Sequence, residues 1–482
     1  MKLRAIFAFA VSLAAIGCAS SGLVGSGDQR AIAPGVAQKA AQQHDQIVAE
    51  FGGAESGSRG SYVNAVGSRV AAQSGVAAGG FRFTTLNSPV MNAFAVPGGY
   101  IYITRQLLGL MNSEGELASV LGHEVGHVTA DHSAARQSQS LWTQLGAALL
   151  GVVTGSSELA QIAAQGAQIW TLSYSRGQEL ESDDLGIRYM AGAGYDPLQS
   201  PAMLASLGAW SNMETRFSGG QDARSVPSWA RTHPLSSERV SRATQRAQAT
   251  GRAGQGTVNR DQHLAALDGM IFDDDPAQGM VEGRDFLHPD LRLAFTIPQG
   301  FGMQNGARAV SVTGSSGQAQ FSTGPYSGNL ATYTGQVFQA LVGQPVQSSQ
   351  PRSVTVNGIP ASWSTARLQT QQGMLDVTVF AYELASNRAY HFVTVTQAGQ
   401  GLGPFAPMVQ SLRRLSAQEA AAIRPRVLDI VTVGANDSVQ SLAGRMAYST
   451  YQIERFRILN GLDADDVPQR GQRVKLVVYG RR

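Results

Sequence analysis

Two histidines with a glutamate between them, in His123-Glu124-Val125-Gly126-His127, are the side chains best placed for chemistry in this sequence. On a helix the two imidazoles lie one turn apart and can converge on a single ion, and two neutral nitrogens at that spacing suit zinc. Glu124 projects between them and the buried face, where a carboxylate can take a proton from a water molecule. A catalytic zinc also needs a third protein ligand and an open position, which a carboxylate on a second helix supplies. Glu179 and Asp183, one turn apart in Ser175-Arg176-Gly177-Gln178-Glu179-Leu180-Glu181-Ser182-Asp183-Asp184, are the candidates. Glu179 is expected to bind the metal and Asp183 to hold the outer nitrogen of a ligand histidine, fixing its tautomer. Without the histidine pair the same acidic run would read as a solvated helix face.

The elements that must position these groups can be sketched. Ser113 followed by Glu116 is a capping box, so a helix should start there and run to about His132. Leu117, Val120, Leu121, Val125 and Val128 form one apolar stripe of it, while Gly122 and Gly126 leave room for another helix to approach. Ahead of it, Phe81 to Thr104 reads as strand, turn, strand, with Pro97-Gly98-Gly99 as the turn. The strand at Asn92, Ala93, Phe94 and Ala95 is expected to bind an extended substrate by backbone pairing. Gln137 to Ser157 carries no charge and is too short to span a bilayer, so it is expected either under the active site or as a lid.

A chain of 482 residues needs more than one core, and three domains are expected: 38–250, 260–415 and 427–478, with a linker at 250–258. The net charge of +3, without a dense basic patch, makes nucleic acid a poor partner. Lys2 and Arg4 precede an apolar run that ends at Cys18, the one cysteine, so 1–17 has the layout of a signal peptide and 18–37 of a tether. The segment resembles a bacterial lipoprotein signal. That resemblance implies lipid on Cys18 and, with Ala19 next, the periplasmic face of the outer membrane. Residues 260–415 show short alternating runs with Asn-Gly turns, an α+β pattern with helices near 329–342 and 404–414. The last segment resembles a LysM domain in Val433-Gly434, Leu459-Asn460-Gly461-Leu462 and Gly471-Gln472-Arg473-Val474-Lys475-Leu476, which implies peptidoglycan as a partner.

Asn92 to Gly99, His123 to His127, Tyr174 to Asp183 and Thr232-His233-Pro234-Leu235-Ser236-Ser237-Glu238-Arg239 stand in the order found in the HtpX/Oma/BepA/LoiP family of gluzincin metallopeptidases, which residues 40–245 resemble. The resemblance implies one zinc per chain, held by His123, His127 and Glu179 rather than Glu181, with Ser182 where the family has Ala. It also implies a multidomain chain: a mainly α, minigluzincin-type peptidase domain with a small edge-strand sheet, then the α+β domain, then a LysM-like βααβ module. The function implied is a zinc endopeptidase of the cell envelope, acting on unfolded or misassembled proteins. In the family's Thr-His-Pro motif, His233 is expected at the metal, either as a plug that holds the enzyme latent or as a donor to the developing oxyanion. The plug is the reading adopted. The competing functions are an envelope binding or chaperone-like protein, and a peptidoglycan hydrolase.

Overall fold

A computed structural model describes residues 23–24, 30–77, 79–132, 174–217, 229, 233–234, 236–342, 346–370 and 373–481. Cys18, residues 133–173 with the uncharged segment 137–157, and residues 218–228 lie outside them. Among the described residues no helix is long and apolar enough to cross a membrane.

The centre of the first domain is the histidine helix, Glu114–Thr129. Ser113 caps it by accepting the Glu116 N–H, as its sequence predicts, but the Glu116 carboxylate reaches the N–H of Asn112 rather than that of Ser113. Every residue of this helix is buried, not one stripe alone. The second helix, Arg176–Gly192, opens on a complete capping box at Ser175 and Gln178. It lies close against the first because a Cβ at Gly122 would stand 3.1 Å from the Gly186 carbonyl, and one at Gly126 3.1 Å from that of Ser182. Any larger side chain at either glycine would push the two helices, and their ligands, apart.

Beside the histidine helix stands a three-stranded sheet. Tyr100–Thr104 is central, parallel to Arg82–Leu86 and antiparallel to Ala93–Val96. Gly99, at φ +79°, turns the chain between the last two, and a Cβ there would meet the Gly80 carbonyl. Ala93–Val96 is the edge strand, with no further strand beyond it among the described residues.

The expected linker is bonded to this domain: Asp196 donates its N–H to Thr257, Thr257 to Gly194, and Gly254 to the Asp196 carboxylate. Further on, a seven-stranded antiparallel sheet runs in the order 302–305, 310–314, 317–325, 388–397, 373–385, 359–370, 352–356. Side chains alternate across it. Val377 and Val379 pack against the helix Leu330–Val342, while Phe380 and Tyr382 face the layer made by a small four-stranded sheet and the helix Ala406–Ser411.

The carboxy-terminal segment has the order strand, helix, helix, strand, in Arg426–Thr432, Val439–Ala443, Gln452–Leu459 and Arg473–Tyr479. It does not stand apart. Ile271–Phe272, from the chain that leaves the first domain, pairs with Arg426–Thr432 as a third strand. Leu428, Phe456, Val474 and Leu476 share one core with Leu110, Met111, Leu267 and Met270. At the centre of the seam is Lys475, wholly buried, whose Nζ donates to the carbonyls of Gly109, Leu110 and Met111 at 2.9, 2.8 and 2.7 Å. Those carbonyls end the helix Arg105–Leu110, where a cation is favoured. Three acceptors need three N–H groups, so this is an ammonium geometry, although burial pushes the Lys475 pKa well down. The same turn leads directly into Ser113.

Candidate metal centre

The two helices bring one nitrogen of each histidine to a common point. His123 Nε2 and His127 Nε2 stand 3.0 Å apart, and Glu179 approaches both, with its oxygens 3.6 and 3.5 Å from them. His233, carried on the segment before the helix Ser237–Ala249, places its Nδ1 3.0 Å from Glu179 Oε1 and 3.3 Å from His123 Nε2. The four side chains are buried and offer ligand atoms that all lie within 4.8 Å of one another.

The outer nitrogens decide what the inner ones can be. His123 Nδ1 lies 2.9 Å from Asp183 Oδ1, so it donates there and its Nε2 carries a lone pair. Arg239 grips that carboxylate with two bonds of 2.8 Å and also stands 2.6 Å from Glu179 Oε2. Burial alone would raise the Asp183 pKa, but Arg239 and His123 together hold it down at about 2. Burial would likewise raise Glu179, yet His233 and His127 keep it well below the usual carboxylate range. Burial pushes His127 far down, toward the neutral imidazole a metal requires. Lone pairs facing each other at this distance repel unless a cation lies between them. Three imidazoles and one carboxylate are a donor set that fits zinc.

Glu124 is fully buried, and neither of its carboxylate oxygens makes a well-formed hydrogen bond. Burial raises its pKa, with His233 and His123 opposing; the backbone N–H of Ala95, on the edge strand, pulls the same way. The residues singled out in sequence thus come together: the histidine pair, Glu124, Glu179, Asp183 and His233, with the edge strand alongside. Glu181 does not join them and faces His132 instead.

The sequence assigned several neighbours no role. Tyr174 stacks on His127 with ring centres 3.6 Å apart, and Trp229 stacks on His233 at 4.2 Å. Arg239 ends the quoted Thr-His-Pro segment, but its two-carboxylate grip depends on the approach of a separate helix. Beside His123 a small cleft is lined by Val120, Met203, Leu204, Leu207 and Trp229 together with Ser119, Ser200, Asp183 and Arg239.

Comparison with known proteins bears on the same region. Residues 58–247 match the model described as Peptidase family M48. The chain is 33% identical over 195 residues to the beta-barrel assembly-enhancing protease of Yersinia pestis, covering 39% of this chain and 38% of that one. It is 36% identical over 124 residues to the mitochondrial metalloendopeptidase OMA1 of Arabidopsis thaliana, covering 26% and 25%. A third similarity, to OMA1 of Schizosaccharomyces pombe, is 30% identity over 183 residues, covering 37% and 50%. The chain therefore spans half or less of the length of these relatives. The matched segment runs from the helix before the small sheet to the end of the helix that carries Arg239, and it contains every group of the cluster. Over residues 58–247, the part that holds the cluster, the chain is thus similar to peptidase family M48.

Proposed function

We propose that this chain is a zinc endopeptidase that cuts unfolded or misassembled proteins in the bacterial cell envelope. The observation that carries the reading is a buried carboxylate, Glu124, set beside two metal-type histidines and the edge strand Ala93–Val96. His123, His127 and Glu179 would hold the zinc, which supplies Lewis acidity toward the scissile carbonyl and lowers the pKa of water. Glu124 then takes the proton from that water and delivers it to the leaving amine. The free edge of Ala93–Val96 receives an extended backbone in β pairing, which reads main chain rather than side chains and so favours unfolded substrates. Incubating the zinc-loaded chain with denatured protein and, separately, with purified cell wall tests the assignment. Cleavage of the protein alone, abolished by a chelator, is expected; release of glycan fragments instead would overturn it.

His233 serves as the plug in this reading. Its Nδ1 points into the cluster beside Glu179 and His123, the position a substrate or water must take. His233→Ala is therefore expected to raise hydrolysis of a short peptide several-fold, with zinc content unchanged. A fall in rate would make His233 an oxyanion donor instead.

The envelope placement rests on the signal-like amino terminus and on the relatives named for barrel assembly. Lipid on Cys18 would anchor the protein without a membrane span. Cys18→Ser is expected to move it from the membrane fraction to the soluble one, or to block its processing, and mass spectrometry of the amino terminus reads the lipid directly. The βααβ order of the last segment is consistent with a LysM-like module that touches peptidoglycan.

A further inference from the structure

The two histidine ligands are supported differently. Behind His123 stands a buried carboxylate, but behind His127 stands another histidine. His127 Nδ1 lies 3.0 Å from His132 Nδ1, and His132 Nε2 lies 3.2 Å from Glu181 Oε2. His132 is buried, whereas the Glu181 side chain is 60% exposed. Taken alone, His132 with Glu181 would be a surface ion pair of little consequence. What sets it apart is the other ring nitrogen, which touches a member of the metal cluster.

The local backbone builds this contact. Ala130 caps the histidine helix, and Asp131 adopts φ +57°, the left-handed conformation that an aspartate tolerates. Asp131 donates to the Val128 carbonyl, and His132 to that of His127 at 3.0 Å, which is the paired bonding of a Schellman helix end. The reversal folds His132 back over the residue five positions earlier.

Protonation states then follow in sequence. A His127 ring that gives its Nε2 lone pair to a metal carries its proton on Nδ1. His132 Nδ1 must accept that proton's hydrogen bond, so His132 carries its own hydrogen on Nε2, facing the Glu181 carboxylate. Glu181 thereby sets the tautomer of His132, and His132 sets that of His127.

We infer that His132 and Glu181 are positioning residues for the His127 ligand, forming an outer chain from the protein surface to the metal. The inference rests on the zinc reading given above. It assigns Glu181, two residues from both Glu179 and Asp183, to the outer side of the same site. Partners of this kind typically change metal affinity by roughly 10- to 100-fold.

The test measures zinc affinity of the full chain by chelator competition, and the visible absorption of the cobalt-substituted protein. His132→Ala is expected to weaken zinc binding about 10- to 100-fold and to shift the cobalt bands. His132→Asn, whose Oδ1 occupies the place of the imidazole Nδ1 as an acceptor, should recover most of both. Glu181→Ala should weaken zinc more than Glu181→Gln, because the amide oxygen still accepts from His132. The exposed Glu181 pair also carries the test if His132→Ala fails to fold. Wild-type affinity in His132→Ala, or equal losses in the Ala and Asn variants, overturns the chain of contacts and leaves the zinc assignment standing. A wild-type protein that binds no zinc overturns the zinc assignment and this inference with it.

Discussion

Glu124→Gln is expected to keep its zinc and its fold while peptide hydrolysis falls by roughly 10^2- to 10^4-fold. Glutamine matches the carboxylate in size, so the packed site around a wholly buried position is undisturbed. What disappears is the carboxylate outside the ligand set, which can receive a proton from water and pass it on, whereas an amide does neither at neutral pH. The ligand atoms of His123, His127 and Glu179 belong to other side chains and remain in place. Replacing any of those three by Ala should do the reverse, losing metal first and activity as a result. Metal analysis beside a peptide assay separates the two classes. Equal activity in the wild type and Glu124→Gln would sink the mechanism, and retention of zinc by Glu179→Ala would remove the third ligand.

Lys475→Met is expected to destabilise the whole protein by about 3 kcal/mol or more, the scale seen when one partner is taken from a buried charged network. Methionine fills much of the space but donates no hydrogen bond. Three carbonyls at 109–111 then lose their donor, and the buried Glu116 carboxylate loses a cation that helps to hold its pKa down against burial. The loss lands where the helix Arg105–Leu110 hands over to Ser113, so faster amide exchange over 105–116 should accompany the lower denaturation midpoint. An unchanged midpoint would mean that the carboxy-terminal segment is held by its apolar contacts alone.

Much of the inner site could be read from the sequence because its geometry is local. His123, Glu124 and His127 share one helix, Glu179 and Asp183 another, and the glycines at 122 and 126 announced the close approach between them. The helix start at Ser113 and the turn at Pro97-Gly98-Gly99 were legible for the same reason, each resting on residues a few positions apart. The support of His127 was not. It depends on a left-handed Asp131, which sequence does not distinguish from an ordinary loop aspartate. The parallel pairing of Arg82–Leu86 with Tyr100–Thr104 and the strand order of the seven-stranded sheet are long-range facts with no local signature. The burial of Lys475 had no sequence signal: in an alternating strand a lysine ordinarily takes the solvent side, and only the facing helix end makes a buried ammonium reasonable. The uncharged run at 137–157 and Cys18 fall outside the described residues.

The seam at Lys475 also has a consequence for how the protein is made. Synthesis proceeds from the amino end, so the histidine helix and its metal partners through Arg239 emerge more than two hundred residues before the lysine that closes Gly109, Leu110 and Met111. Until that last strand arrives, the turn in front of Ser113 has open carbonyls and an uncovered apolar strip at Leu110 and Met111. A ribosome that stalls in the middle domain therefore releases a chain with every catalytic residue but an unfinished catalytic body. That strand thus makes the stability of the histidine-helix core conditional on translation having passed residue 475.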